Sequence, residues 1–188
     1  MTSTALKTLQ DTLLNDNNSG QITPEDLRAV STELIKKSGG WADYNNSNLT
    51  AQNISSGVWT GLTNNGLGAF TTETYLPYYS NSLFSNNEID LNGLPLGTVL
   101  TIRYELTLGI LSNNTDVLFR INAKDSDGVS VYTSLFDYRA FKSAGTSTGV
   151  NFYEMYVGDS ILNGSMAIEI YSDQNITALW SGAFITIP

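Results

Sequence analysis

Two carboxylates held a few ångströms apart are all that a glycosidase needs. The chain offers three places to look: Asp125 with Asp127, Glu88 with Asp90, and Asp159. The competing reading is structural, because Asp favours loops and bonds its own backbone there, and it is the reading preferred here. Asp125-Ser126-Asp127-Gly128 also looks like a fragment of a calcium loop, but the continuing ligand series and the distal bidentate Glu are missing. The sequence contains no histidine and no cysteine. It therefore lacks the usual general base near neutral pH, the commonest transition-metal ligand, a thiolate nucleophile and any disulfide framework. No G-x-S-x-G elbow occurs, and Gly61, Gly66 and Gly68 are scattered without the lysine of a phosphate cradle. The expectation is a protein that is not an enzyme and uses no cofactor and no metal.

Aromatic residues are the remaining candidates for contact chemistry. Trp59, Tyr78 and Tyr79 fall in or beside probable loop stretches, where flat rings can stack on sugar faces or pack into a core or subunit interface. Trp180 and Phe184 alternate on the last strand-like stretch and read as core or threefold-interface residues. Asn-x-Ser/Thr triplets such as Asn48-Leu49-Thr50 are expected by chance in a chain this rich in Asn, Ser and Thr.

Charge narrows the partners. Nine basic and 18 acidic residues give a net charge of -9 and a pI near 4.2. The acidic excess is concentrated beyond the Gly39-Gly40 pair, since the segment before it is nearly balanced. Affinity for nucleic acid begins with Lys and Arg displacing counterions from phosphates, so neither nucleic acid nor an anionic membrane is an expected partner. Charged residues make up only 14% of the chain, and mean hydropathy is -0.10. The N-terminal residues carry no apolar run fit for a signal peptide, and no stretch reaches transmembrane length. A chain made in a cytoplasm is expected, leaving it by lysis or as cargo. Without disulfides, a domain that survives outside a cell needs a large core or oligomeric burial.

The elements that must position these residues divide at the same glycines. Leu6, Leu9 and Leu13 form one apolar stripe, stopped by Asn15-Asp16-Asn17-Asn18-Ser19-Gly20. A second helix begins at Thr23-Pro24-Glu25-Asp26, with Thr23 as N-cap, Pro24 at the first helical position and two acids at the positive end of the dipole. Leu27, Val30 and Leu34 give its stripe, and Gly39 or Gly40 ends it. One narrow stripe on about fifteen residues does not hold a helix by itself; it must meet its own domain, another copy or a capsid. From Trp41 onward the apolar period becomes 2. Strands are predicted at 99–108, 117–122, 129–141, 150–157, 166–171 and 178–187, with weaker ones at 58–62 and 69–75. In the long run 129–141, strict alternation puts Tyr132, Phe136 and Tyr138 on one face and Val131 and Leu135 on the other. Seven or eight strands with no helical period between them predict a mainly β protein: an antiparallel β-sandwich, a jelly roll, over residues 41–188, preceded by a helical region over 1–38.

Two stretches resemble known families. Leu14-Asn15-Asp16-Asn17, then Ile22-Thr23-Pro24-Glu25-Asp26-Leu27-Arg28, then Gly40-Trp41-Ala42-Asp43-Tyr44, resembles the N-terminal region of phage head-fibre, tail-fibre and decoration-like virion proteins. Leu179-Trp180-Ser181-Gly182-Ala183-Phe184-Ile185-Thr186-Ile187 resembles the closing strand of tumour-necrosis-factor and C1q-like jelly rolls, although Ala183 stands where those families carry an aromatic. Together the resemblances imply a homotrimeric spike of a virion. Residues 1–38, with Leu27, Val30 and Leu34, would grip a capsid or tail protein, Trp180 and Phe184 would line the threefold interface, and Trp59, Tyr78 and Tyr79 would touch a host-surface glycan.

Overall fold

The computed structural model describes residues 12, 23–35, 39–45, 48–64, 66–68, 70–77 and 82–188, without the side chains of 24, 32–35 and 70. Helix α1 (Pro24–Ile35) begins as its sequence dictates. The Asp26 N–H donates to Thr23 Oγ1 (3.2 Å), while the Thr23 N–H (2.9 Å) and hydroxyl (2.7 Å) donate back to Asp26 Oδ2. This reciprocal cap satisfies two donors at the helix start. The same bonds, the hydroxyl's first, hold the Asp26 carboxyl below its ordinary pKa. The first predicted helix, with Leu6, Leu9 and Leu13, lies outside the described residues.

Twelve strands follow among the described residues: β1 (Gly40–Asn45), β2 (Gln52–Ile54), β3 (Thr60–Gly61), β4 (Phe70–Thr72), β5 (Phe84–Ser85), β6 (Glu88–Asp90), β7 (Val99–Ile110), β8 (Thr115–Lys124), β9 (Ser130–Phe141), β10 (Gly145–Tyr156), β11 (Ser165–Ser172) and β12 (Ile176–Ile187). They form two antiparallel sheets. The first runs β10-β7-β12-β1-β4, with β2 also on β12; the second runs β5-β6-β11-β8-β9, with β3 also on β11. The pairings nest. β8 pairs with β9, β7 with β10, β6 with β11 and β1 with β12. A long double strand rolled up on itself gives this concentric order, which is the jelly-roll topology.

The core lies between the sheets. β7 alternates throughout, burying Leu100, Ile102, Tyr104, Leu106, Leu108 and Ile110. Val117, Phe119 and Ile121 of β8, with Met166, Ile168 and Ile170 of β11, close it from the other side. Turn chemistry falls where Asn and Gly sit: Asn114 (φ 54°), Gly128 (φ 78°) and Asn163 (φ 58°) lie just ahead of β8, β9 and β11 in the left-handed region. Asn86 and Asn87 (φ 52° and 65°) turn β5 into β6.

Three bulges break the strict period and correct the expected faces. In β9 the partners step from Phe119↔Asp137 to Arg120↔Leu135, which leaves Phe136 as an extra residue. Tyr138 and Leu135 therefore share the outer face, opposite Leu118 and Arg120, while Phe136 packs inward against Tyr104, Phe119 and Tyr153. A second shift in β9, at Ala123/Lys124, leaves Val131 unpaired. In β12 the register slips between Trp180 and Gly182, so Ser181 is extra. Trp180 and Phe184, four apart in sequence, consequently lie on opposite faces.

Candidate binding face

The acids nominated for chemistry hold turns and ion pairs. Asp125 Oδ1 accepts the N–H groups of Asp127 (3.0 Å) and Val129 (2.9 Å), closing its own loop. Asp90 accepts the N–H of Asn92 (2.8 Å) in the same manner. Glu88 pairs with Lys124 and receives the Ser165 hydroxyl. Asp159 is exposed and opens a single 3-10 turn, Asp159–Ile161, whose Ile161 is buried. Among the described residues, no three acidic side chains gather as a metal site would require.

The aromatic candidates are redistributed. Trp180 is 1% exposed, packs against Phe84 and donates its indole N–H to the Gly182 carbonyl (3.1 Å). It is a core residue that no partner chain can touch, which removes it from the expected interface. Trp59 lies on the outer face of the second sheet, against Tyr171 (ring centroids 5.5 Å apart) and under the Arg120 guanidinium (4.1 Å to its centroid). Arg120 is held in turn by Glu169 (2.6 Å), so one face of the Trp59 ring is already occupied. Tyr78 and Tyr79 lie outside the described residues. On α1, Val30 is buried (6% exposed) while Leu27 is 53% exposed, and the Leu34 side chain is outside the described set. The stripe is thus not one uniformly covered face.

Phe184 belongs to a constellation on the outer face of the first sheet. Strand register places Asp43, Phe184, Arg103 and Phe152 in one row across β1, β12, β7 and β10. The neighbouring row is Trp41, Thr186, Thr101 and Glu154. Trp41 stacks on Tyr75 (4.5 Å, 21°) and on Phe184 (5.5 Å, 27°), and the Arg103 guanidinium lies 5.7 Å from the Phe184 centroid. Gly40 makes the Tyr75 approach possible: a Cβ there would sit 2.3 Å from the Tyr75 carbonyl oxygen. Cross-strand neighbours stand about 5 Å apart, so the rings line up like a ladder and end in a cation.

Beyond that cation the face opens into a shallow basin of about 500 Å³, lined by Asp43, Thr101, Arg103, Phe152, Phe184 and Thr186. Among the described residues Arg103 enters no ion pair, unlike Arg28, Arg120 and Arg139. Phe152 projects beside it, 66% exposed. An apolar shelf with one unneutralised guanidinium and one carboxylate is suited to holding an amphipathic surface. Sequence reasoning placed Arg103 within the predicted strand 99–108 but gave it no role. Its neighbours in the row, Phe152 and Phe184, lie 49 and 81 residues further along the chain, so no local motif announces them.

No protein-family model matches the chain, and no curated protein sequence matches it. Among solved structures, a chain of infectious bursal virus-derived T=1 particles aligns over 81% of this chain and 32% of its own length, at 11% identity and a TM-score of 0.49. The infectious bursal disease virus T13 particle aligns over 80% and 30%, at 12% identity and a TM-score of 0.46. The PRD1 vertex protein P5 aligns over 79% of this chain and 94% of its own, at 10% identity and a TM-score of 0.37. The chain spans about a third of the length of the infectious bursal disease virus chains it matches.

Proposed function

We propose that this protein is a non-enzymatic structural component of a bacteriophage virion, a head fibre or capsid decoration spike. Residues 1–38 attach it to the particle, and the sandwich projects outward as the head of a homotrimer. The observation that carries the reading is the outer face of the first sheet, where Trp41, Phe184, Arg103 and Phe152 converge on a shallow, mostly apolar basin. That surface suits contact with another molecule. The resemblance of the N-terminal residues to phage virion proteins supports the attachment role, and Thr23, Pro24 and Asp26 of that motif do open a capped helix.

The test compares particles assembled with the full chain and with a chain starting at Trp41. Incorporation should fall at least tenfold with the shortened chain, and undiminished incorporation would sink the anchor role. Labelling on intact particles by electron microscopy separates a head position from the near alternative, a tail-fibre receptor-binding protein. A soluble lectin-like module is the second reading, motivated by exposed Phe152 beside Arg103 and Asp43. Strong glycan-array signal from a monomer favours it.

A further inference from the structure

We infer that copies of this chain meet along strand β10, with Val150, Phe152 and Tyr156 at the centre of the contact. The inference concerns self-association alone and needs neither the trimer nor the virion part of the reading above. β10 is the outermost strand of the first sheet. One edge pairs with β7 through twelve consecutive partners without a shift, and among the described residues no strand occupies the other. That leaves a flat row of backbone donors and acceptors about 40 Å long.

Proteins that keep such an edge in solvent blunt it with lysine, proline, a bulge or an inward-pointing charge. β9, the matching edge of the second sheet, uses two of these devices. It carries two bulges, and Asp137 and Arg139 stand opposite the inward-facing Phe119 and Val117 and pair with each other (2.8 Å). β10 uses none. Its sequence, GTSTGVNFYEMY, has no proline and no basic residue, its ladder has no bulge, and its one charge is Glu154. Its outward positions carry Val150, Phe152 and Tyr156, all exposed, and Tyr156 stands opposite exposed Val99.

Charge identifies the occupant. A chain of net charge -9 repels its own copy over most of its surface. The repulsion is weakest where charges are absent, and β10 holds one in twelve residues. A foreign partner steered by electrostatics needs a charged footprint, and this strip does not supply one.

The experiment measures the mass of the full-length protein by native mass spectrometry and light scattering across micromolar concentrations. Amide exchange over residues 145–156 is followed in the same samples. The expected result is an oligomer whose β10 amides exchange more slowly than on dilution. Val150→Lys with Phe152→Glu should weaken association at least 100-fold while the circular dichroism and melting curve stay unchanged. Leu135→Glu, equally exposed on β9, should leave the oligomer intact. A wild-type monomer at every concentration, exchange over 145–156 that ignores concentration, or an oligomer that survives both β10 substitutions overturns the inference. The exchange measurement decides the matter if the double variant fails to fold. A monomer that still enters particles overturns this inference and leaves the virion reading standing.

Discussion

Two buried tyrosines differ in what their hydroxyls meet. Tyr44 donates to Glu73 Oε1 (2.7 Å) and accepts the Leu83 N–H (3.1 Å), bridging β1 to the loops that flank β4 and β5. The Tyr104 hydroxyl is buried beside the Asn151 amide, and neither makes a well-formed hydrogen bond to a described residue. Tyr44→Phe leaves the Leu83 N–H without an acceptor and should cost about 1–3 kcal/mol. Tyr104→Phe removes an unsatisfied group and should be neutral or slightly stabilising. Burial, reinforced at Tyr44 by Glu73 and at Tyr104 by the Asp137 charge, pushes both phenols well above their ordinary pKa. The unfolded chain releases these protons near pH 10 while the folded chain retains them. Stability is therefore untouched at neutral pH and falls as the pH climbs past about 10. Thermal melts of wild type and both variants at pH 7 and pH 11 check this. A wild-type melting temperature that does not fall at pH 11, or equal losses for the two variants at pH 7, would contradict it.

Long strands were readable from the residues because each carries enough apolar positions for a period of 2 to show. β7 and β11 appear where Leu100 to Leu108 and Met166 to Ile170 alternate. The short strands were not readable. β2, β5 and β6 have two or three residues apiece and one fully buried apolar side chain or so each, Ile54, Phe84 and Ile89, so no period can be counted. Their existence is decided by the longer strands they lean on. Bulges were invisible for a different reason: an extra residue changes no residue type. The Ser181 bulge matters most, because it turns Trp180 into the core and leaves Phe184 outside to join Trp41 and Arg103. Deleting Ser181 makes Trp180↔Leu106 and Gly182↔Glu105 consecutive pairs of a regular ladder, so both halves of β12 keep their faces. The deletion variant should therefore retain a cooperative melt, its loss staying within the roughly 5–15 kcal/mol that holds a domain together. Ser181→Ala keeps the residue count, gives up one long hydrogen bond to the Glu105 carbonyl (3.4 Å), and should stay within about 1 kcal/mol of wild type. A deletion variant without a cooperative melt would show that Ser181 does more than add one unpaired residue to the strand.

Among the described residues, β5·β6 and β8·β9 join sequence neighbours through short turns, while β7·β10, β6·β11 and β1·β12 link residues far apart in sequence. Closing long loops before any contact is gained makes such folds slow. Refolding should take seconds or longer, and the buried Trp180 should report it late, because β12 sits in the middle of its sheet. Stopped-flow tryptophan fluorescence checks this against Trp180→Phe, and a millisecond Trp180 signal would be the opposite result. The overall architecture was legible because two patterns, a capped helix and then alternating strands, divide at Gly39 and Gly40. The binding face was not, since its row draws one residue from each of four strands.

The position of β12 has a consequence for synthesis. Gly40 pairs with Ile187, and the strand that receives β1, β2 and β7 is the last of the sandwich to leave the ribosome. While it is still in the exit tunnel, the first sheet has no middle and the apolar faces of β1 and β7 have nothing to close on. The sandwich is therefore completed only once residues 176–187 have emerged, as one event, and a nascent chain stalled before residue 176 should be a substrate for chaperones and proteases, not a partly formed sandwich.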